Sequence, residues 1–350
     1  MIVKNENSII EKNLRSAKGI VDYWVVVDTG SSDGTQETVR RVMGDIPGEL
    51  HERPWVDFAH NRNEALELAR GKGDYILFMD ADEEFVFGSG FKMPKLTQDG
   101  YHLRFRKPEG AIDFQRLWMI RDDPNWKWVG VLHETVENPK PHSVGLMEDF
   151  YVLLSGDVGS RSADPEKYAK DARILEAAVE KEPTNSRYVF YLAQSYLNVQ
   201  NYAKALTYYE KRAGMGGFEE EVFISLYAVA QMKNILEPNS EAFVNDLTKA
   251  FLFRSVRAEP LHMLANHYIR SKNYFMGYLV SKFGAALPMS QDALWVEKWI
   301  YDWGLLHQQA FCAAQLGRRN EALQLFSRLL KKETIPAHIR VELEKNFKTL

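Results

Sequence analysis

Short apolar runs bounded by turn residues alternate with helical patterns through the first half of the chain. Residues 23–28 (YWVVVD) are β-branched and aromatic, and they lead into the polar turn TGSSDGT. Residues 35–43 (TQETVRRVM) then have helical spacing, and we expect Ser32 or Asp33 to cap that helix. The order of strand, loop and helix is typical of an α/β domain.

A second unit of the same kind follows. The segment FAHNRNEALELARGKG has helical spacing and stops at Gly71, and residues 74–79 (DYILFM) are typical of a buried strand. That strand runs directly into a group of acids: Asp80, Asp82, Glu83 and Glu84. Further strand patterns occupy 101–106 and 114–120, so the α/β pattern continues beyond these acids.

The pattern changes at residues 156–165 (GDVGSRSADP), which have the composition of a linker. We therefore predict two domains, 1–156 and 157–350, the second almost wholly helical. One set of small and aromatic positions is echoed downstream with identical spacing: Ala193, Tyr196, Ala205, Leu206 and Tyr209 by Ala310, Ala313, Ala322, Leu323 and Phe326. A weaker echo begins at Ala265. These echoes predict tetratricopeptide-like hairpins, with an irregular helical bundle as the alternative.

Composition narrows the class of protein. The chain has 350 residues, of which 45% are apolar and 26% charged, and these proportions exclude a disordered scaffold. The net charge of −4 argues against a large basic surface for nucleic acid, although a local basic groove stays open. A lone cysteine, Cys312, cannot form an internal disulfide, and no run approaches the roughly 20 apolar residues of a membrane span. We therefore expect a cytoplasmic protein.

The acids after the second strand have the chemistry of a metal and diphosphate site. Asp80 and Asp82 are one residue apart at the carboxyl end of a strand, where ligands of open α/β sheets bind. Their oxygens suit Mg²⁺ or Mn²⁺, although an acidic helix N-terminus would have the same pattern. Asp28 also ends a strand. We expect the two strands to be neighbours, which would bring these acids into one site.

Four strings with these features resemble family 2 glycosyltransferases of the GT-A fold. They are MIVKNE (1–6), VVVDTGSSDGT (25–35), the Arg-Asn of AHNRNEAL (59–66) and YILFMDADEE (75–84). The whole chain is similar to members with a helical C-terminal domain, through WKWVGVLHE (126–134), RYVFYLAQSY (187–196), AKALTYYEKR (203–212) and RAEPLHMLANHYIR (257–270). The resemblance implies an α/β GT-A (Rossmann-like) domain followed by an all-α tetratricopeptide-like domain.

The resemblance also implies an activity, which is inverting transfer of a sugar from a nucleotide-sugar, most often a UDP-sugar, with Mn²⁺ or Mg²⁺. By this likeness Asn5 and Glu6 line the nucleoside pocket and Asp28 contacts the base. Arg62 lies near the base or diphosphate, Asp80 holds ribose or metal, and Asp82 ligates the metal. Each has a structural alternative: Arg62 as a helix-surface ion pair, Asp33 as a helix cap and Asn5 as a turn residue.

His133 and Glu134 are the next candidates, since the resembling subgroup also has His-Glu at this place. His133 would complete the metal shell and Glu134 would act as the catalytic base, with Asp122 and Asp123 as rival bases. Three tryptophans would stack on a sugar or belong to the core: Trp118, Trp126 and Trp128. Relatives usually have apolar residues before MIVKNE, so we expect a short first strand here.

Two other functions compete with glycosyl transfer. One is a tetratricopeptide binding module with an inactive nucleotide-sugar domain, against which the retained Asp80 and Asp82 argue. The other is a nucleotidyltransferase, against which the absence of a Gly-rich basic phosphate loop argues. Because helical repeats commonly bind peptides, a peptide or protein acceptor is favoured, while saccharides, lipid-linked glycans and nucleobases stay open.

Overall fold

A computed structural model of the chain describes residues 1–107, 112–154, 164–238 and 242–349. The chain forms two compact units, Met1–Val199 (unit 1) and Gln200–Leu350 (unit 2). The expected boundary at 156/157 lies outside the described residues, and unit 1 includes two helices beyond it. The division into domains 1–156 and 157–350 therefore stays a prediction.

Unit 1 contains ten strands and five helices among its described residues. The strands are β1 (Ile2–Val3), β2 (Trp24–Asp28), β3 (Gly48–Glu52), β4 (Tyr75–Leu77), β5 (Glu83–Phe87), β6 (Gly100–Arg106), β7 (Ile112–Arg121), β8 (Lys127–Val129), β9 (Thr135–Glu137) and β10 (Val144–Leu154). The helices are α1 (Ile10–Ala17), α2 (Thr35–Met43), α3 (Phe58–Ala69), α4 (Lys167–Lys181) and α5 (Ser186–Asn198). The strand and helix patterns of the first half are thus confirmed in type and order.

The strands of unit 1 belong to separate sheets. β1, β2 and β3 form a parallel sheet in that order, whereas β7, β6, β10 and β5 form a mixed sheet to which β4 adds by pairing with β7. β4 pairs antiparallel, with Tyr75 opposite Arg121 and Leu77 opposite Met119. The expectation that Asp28 and Asp80 end neighbouring strands was wrong, because β4 pairs with β7 and the two-residue β1 pairs only with β2 among the described strands.

Helix α2 has the predicted bounds, but its N-cap residue differs from the prediction. Its N-cap position is Gly34, which has φ +91° and offers no side chain for capping. Asp33 still accepts from the backbone N–H of Thr35 at 3.1 Å. The prediction of Ser32 or Asp33 as N-cap was wrong by one or two residues, because the left-handed glycine turns the chain into the helix.

The core of unit 1 is rich in aromatic side chains. Trp118, Trp126 and Trp128 are all buried, which confirms their interpretation as core residues. Phe78 packs edge-on against Trp128 with ring centroids 4.7 Å apart, and against Trp118 at 6.0 Å. Trp118 and Trp128 therefore pack against Phe78, the residue that directly follows β4.

Unit 2 is helical. Its described helices are α6 (Tyr202–Ala213), α7 (Glu219–Leu236), α8 (Ala242–Phe253), α9 (Glu259–Arg270), α10 (Tyr274–Ala285), α11 (Leu305–Gln315), α12 (Arg319–Leu330) and α13 (Ala337–Thr349), with a π-helical segment at Ile300–Gly304 and the two-residue β11 (Val296–Glu297). Three turns share one backbone conformation: Gln200, Lys272 and Gly317 have φ of 59°, 59° and 72°, each directly before the N-cap of the next helix. The repeated turn matches the sequence echoes, and the predicted tetratricopeptide-like class is confirmed.

Candidate functional site

Two loops of the parallel sheet are held together by reciprocal hydrogen bonds. The backbone N–H of Asn5 donates to Ser31 Oγ at 2.8 Å, and the N–H of Ser32 donates to Asn5 Oδ1 at 2.9 Å. The N–H of Glu6 donates to Thr35 Oγ1 at 2.9 Å. Asn5 has φ +56°, so it is a turn residue as well as a link between the loops. These contacts fix the loop after β1 against the loop after β2.

Asp28 lies at the base of these loops with an oxygen that has no partner. Its Oδ1 accepts from the backbone N–H groups of Gly30 at 2.8 Å and Ser31 at 2.7 Å. Its Oδ2 is buried and has no hydrogen-bond partner among the described residues. A buried carboxylate oxygen without a donor is costly. The position therefore favours a ligand that brings an N–H or O–H group to Asp28.

Arg62, on α3, joins two acids that come from different parts of unit 1. Its Nη2 donates to Asp80 Oδ1 at 2.6 Å and its Nε donates to Glu134 Oε1 at 2.5 Å. The guanidinium lies 4.8 Å from the ring of Trp128 and 5.7 Å from that of Trp118. Burial alone would lower the pKa of Arg62, but the two carboxylates raise it above its ordinary value. Arg62 is therefore a permanent buried cation, and its reading as a helix-surface ion pair was wrong.

The arginine ion pair limits what its two acids can do. The side chain of Glu134 is only 9% exposed, and the hydrogen bond from Arg62 Nε orients its carboxylate. Asp80 keeps 25% exposure, with one oxygen bound to Arg62. The structure thus brings together three residues that the sequence singled out separately, and it directs Arg62 towards the acids.

The rival bases have structural contacts of their own. Asp122 accepts from the N–H of Gly71 at 2.7 Å and from Arg70 Nη1 at 3.1 Å. Asp123 accepts from the backbone N–H of Asn125 at 2.7 Å, which lowers the pKa of the Asp123 carboxyl. Both carboxylates hold turns around β7 and β8. Among the candidates, Glu134 alone joins the Arg62 cluster.

Asp82 differs from its neighbours because it makes no ion pair within the described part of the chain. Burial and the nearby charge of Asp80 raise the pKa of the Asp82 carboxyl. A cation beside it would offset both effects. Asp82 is therefore the carboxylate of this segment that is available to an incoming cation.

Glu83, which the sequence analysis named only as part of the acidic run, contacts the backbone of Asp80. It is 1% exposed, and its Oε2 accepts from the backbone N–H of Asp80 and from Trp118 Nε1, each at 2.9 Å. Burial, and then the charge of Asp80, raise the pKa of Glu83 to about 8. Strand alternation was the available signal, since Glu83 shares the buried face of β5 with Phe85.

His133 does not join the acids. It has φ +53°, and its exposed imidazole stacks on the ring of Tyr191 at 3.9 Å with an interplanar angle of 12°. No group of three or more His, Cys, Asp and Glu side chains in the described ranges is arranged to hold a metal ion. The predicted ligand set of Asp80, Asp82 and His133 does not form in this structure, because Asp80 pairs with Arg62 and His133 packs on α5.

Asn63 is a further contributor that the sequence analysis did not assign. Its Nδ2 donates to the carbonyl of Trp128 at 2.9 Å, and its Oδ1 accepts from the N–H of the same residue at 2.8 Å. This two-way bond fixes α3 to β8. It sets the position from which Arg62 reaches Glu134.

Comparison with known proteins adds to this geometry. Residues 1–89 match the model of the family described as Glycosyl transferase family 2, which confirms the resemblance noted from the sequence. The chain is 24% identical over 227 residues to the SPbeta prophage-derived glycosyltransferase SunS of Bacillus subtilis, covering 60% of this chain and 51% of that protein. It is 30% identical over 145 residues to a TPR repeat-containing protein of Synechococcus elongatus, covering 39% of this chain and 34% of that protein. The chain thus spans between a third and a half of these two relatives.

A solved structure, that of S. aureus TarS, aligns with 80% of this chain and 54% of its own, at 15% identity and a TM-score of 0.31. Among the described residues, none of the helices combines the length and apolar character needed to cross a membrane.

Proposed function

We propose that this chain, whose residues 1–89 match the family 2 glycosyl transferase model, transfers a sugar from a nucleotide-sugar to an acceptor with inversion at the anomeric carbon. The observation that carries the proposal is the convergence of Arg62 from α3, Asp80 from the β4–β5 connection and Glu134 from the β8–β9 turn. A buried cation with two acids is the kind of preorganised electrostatic arrangement that charge-separating chemistry needs.

The unpaired oxygen of Asp28 supports a UDP-sugar as donor. Uracil carries an imide N–H that a carboxylate oxygen accepts well, and Oδ2 of Asp28 is such an acceptor. Asn5 and Glu6 belong to the loop clamped beside it and would line the nucleoside pocket. The donor base would thus satisfy a polar atom that unit 1 leaves buried.

Asp82 fits a divalent ion better than the other predicted ligands do. Mg²⁺ and Mn²⁺ commonly bind through one or two carboxylates together with substrate phosphates and waters. Asp82 offers one carboxylate without an ion pair, whereas Asp80 already contacts Arg62. When bound, the metal would neutralise the charge that develops on the leaving diphosphate.

Glu134 is the base in this proposal. The acceptor oxygen attacks the anomeric carbon, the bond from that carbon to the diphosphate oxygen breaks, and the acceptor proton passes to Glu134. Arg62 holds the carboxylate in one orientation before the reaction. Glu83 accepts a hydrogen bond from the backbone N–H of Asp80 and so fixes its position. Asp80 and Glu134 are thus both held by neighbouring side chains that take no proton from the substrate.

A peptide or protein is the acceptor class we propose, with a saccharide as the other possibility. Helical repeats commonly bind extended peptides on a concave face, and unit 2 has the repeated turns of such an array. We infer this acceptor class by analogy with other helical-repeat proteins.

A binding module with an inactive nucleotide-sugar domain is the second candidate. One observation favours it: Arg62 engages both Asp80 and Glu134, so neither acid is unpaired in this structure. Such a module would bind a nucleotide-sugar without consuming it.

A screen of nucleotide-sugars separates these functions. The whole chain is incubated with UDP-, GDP- and CMP-sugars, with Mn²⁺ or with EDTA, and free nucleotide is measured. Release of UDP, GDP or CMP from the corresponding donor supports the transferase, while binding seen by calorimetry without release supports the inactive module. Pyrophosphate release from a nucleoside triphosphate and a sugar phosphate would instead identify a nucleotidyltransferase.

A further inference from the structure

The turn that carries Glu134 has a strained backbone. It joins β8 to β9, and both Gly130, with φ +115°, and His133, with φ +53°, lie in the left-handed region. A Cβ on residue 130 would lie 3.4 Å from Glu134 Cα, so Gly130 packs directly beside Glu134. A non-glycine residue keeps this conformation only when its surroundings hold it there. Something must therefore hold His133.

Helix α5 supplies that support from two side chains. Arg187 donates from both Nε, at 3.0 Å, and Nη2, at 2.7 Å, to the carbonyl oxygen of His133. Tyr191 stacks on the imidazole of the same residue, with ring centroids 3.9 Å apart. Positions 187 and 191 are one helical turn apart and share a face of α5. One residue, His133, is thus held by both its carbonyl and its ring.

The two supports also hold each other. The guanidinium of Arg187 lies 4.9 Å from the ring of Tyr191, so the ring contacts a cation as well as the imidazole. Helix α5 begins with Asn185 as N-cap, whose side chain accepts from the N–H of Tyr188 at 3.3 Å. The cap fixes the first turn of the helix and therefore the place from which Arg187 reaches the turn.

We infer that Arg187 and Tyr191 are positioning residues for the glycosyl transfer proposed above, acting through His133 on the adjacent Glu134. The inference rests on that proposed function, since Glu134 is the base only there. Glu134 directly follows His133 in the chain, and its Oε1 accepts from Arg62 Nε at 2.5 Å. Release of the turn would let the carboxylate leave this geometry. Helix α5 is therefore part of the catalytic apparatus and not only of the helical array.

The test uses full-length variants Arg187→Ala, Arg187→Lys, Tyr191→Ala and Tyr191→Phe. The matched control is Arg173→Ala, which removes an exposed arginine from the neighbouring α4. Two readouts are taken: amide hydrogen exchange of peptides covering residues 130–137, and steady-state kinetics with whichever UDP-sugar the wild type consumes. Misplacement of a reacting group by about 1 Å typically costs up to 100-fold in rate.

We expect Arg187→Ala and Tyr191→Ala to speed exchange at 130–137 and to lower kcat by about 10- to 100-fold, with the donor KM nearly unchanged. Tyr191→Phe keeps the stacked ring and should retain activity. Arg187→Lys loses the paired hydrogen bonds to the His133 carbonyl and should retain activity only in part. Exchange like that of the wild type in both alanine variants would overturn the inference that Arg187 and Tyr191 hold the β8–β9 turn. Faster exchange with unchanged kcat would overturn the positioning role, and leave glycosyl transfer itself intact. A wild type that consumes no donor would overturn the proposed function together with the positioning role. Hydrogen exchange would still decide whether Arg187 and Tyr191 hold the β8–β9 turn.

Discussion

Arg62 illustrates how much one side chain contributes at the residue scale. It contacts two tryptophan rings, reaches Asp80 and Glu134, and is 8% exposed. Sequence reasoning selected Arg62 from a motif, but its partners are 18 and 72 residues away along the chain. No local pattern encodes such a meeting, because it depends on where α3 and the β8–β9 turn pack. Arg62, Asp80 and Glu134 were thus each selected from the sequence, whereas their pairing was not.

Removal of the arginine should therefore damage the fold as well as the site. Arg62→Met leaves two carboxylates without their cation, and breaking a buried ion pair in this way typically costs about 3–5 kcal/mol. Urea unfolding of the variant should show a loss of that order. Arg40→Met, at an exposed position on α2, is the control and should change stability by less than about 0.5 kcal/mol. Equal stability of both variants would mean that the Arg62 pairs are not formed in solution.

Glu83 makes a pH-dependent contribution whose sign follows from its environment. Its pKa in the folded chain is about 8, against an ordinary value of 4.5, so the folded state binds the extra proton between these values. Stability from this group is therefore fully present below about pH 4.5 and is lost as pH rises through 8. In Glu83→Gln the amide oxygen can still accept from Asp80 N–H and Trp118.

Thermal unfolding at pH 6 and pH 9 measures this effect as a difference between wild type and Glu83→Gln. The wild type should lose more stability over this interval than the variant does. Parallel pH profiles for the two proteins would show that Glu83 does not titrate in this range.

At the scale of elements, local sequence patterns predicted which strands and helices form but not which strands pair. The strands at 24–28 and 75–77 and the helices at 35–43 and 58–69 all lie within the segments expected from periodicity. The antiparallel pairing of β4 with β7 was missed, because strand partners are set by packing across distant segments. The N-cap of α2 was missed by one or two residues, because the left-handed Gly34 occupies that position.

The hydrogen bonds between the loops after β1 and β2 lead to a prediction about Thr35, the first residue of α2. Thr35→Val removes the oxygen that accepts from Glu6 N–H, together with the hydroxyl that donates to Asp33 at 2.5 Å. The loops beside Asp28 should then lose order, and UDP affinity measured by calorimetry should fall about fivefold, the equivalent of one hydrogen bond. Thr207→Val, at an exposed position on α6, should leave UDP affinity unchanged. Unchanged UDP affinity in Thr35→Val would show that the hydrogen bonds between these loops do not contribute to donor binding.

At the scale of the whole molecule, the first compact unit extends to Val199 and includes α4 and α5. A fragment of residues 1–199 keeps Arg187 and Tyr191, whereas a fragment of residues 1–156 lacks both. We expect the longer fragment to unfold cooperatively and to hydrolyse donor. The shorter one should bind UDP, since Asp28 and its loops precede residue 156, but it should hydrolyse donor slowly. Equal hydrolysis by the two fragments would contradict a catalytic contribution from α5.

Consumption of a UDP-sugar by the full chain, compared between wild type, Asp82→Asn and Glu84→Gln, tests the central claim most directly. Glu84 belongs to the same acidic segment but pairs with Lys12 at 2.6 Å, so it is the matched control. The account predicts UDP release by the wild type and by Glu84→Gln in Mn²⁺. It predicts that release by Asp82→Asn is lower by about 10²- to 10³-fold, the usual effect of removing a key electrostatic contact. No release from any UDP-sugar by the wild type, or equal release by Asp82→Asn, would contradict it.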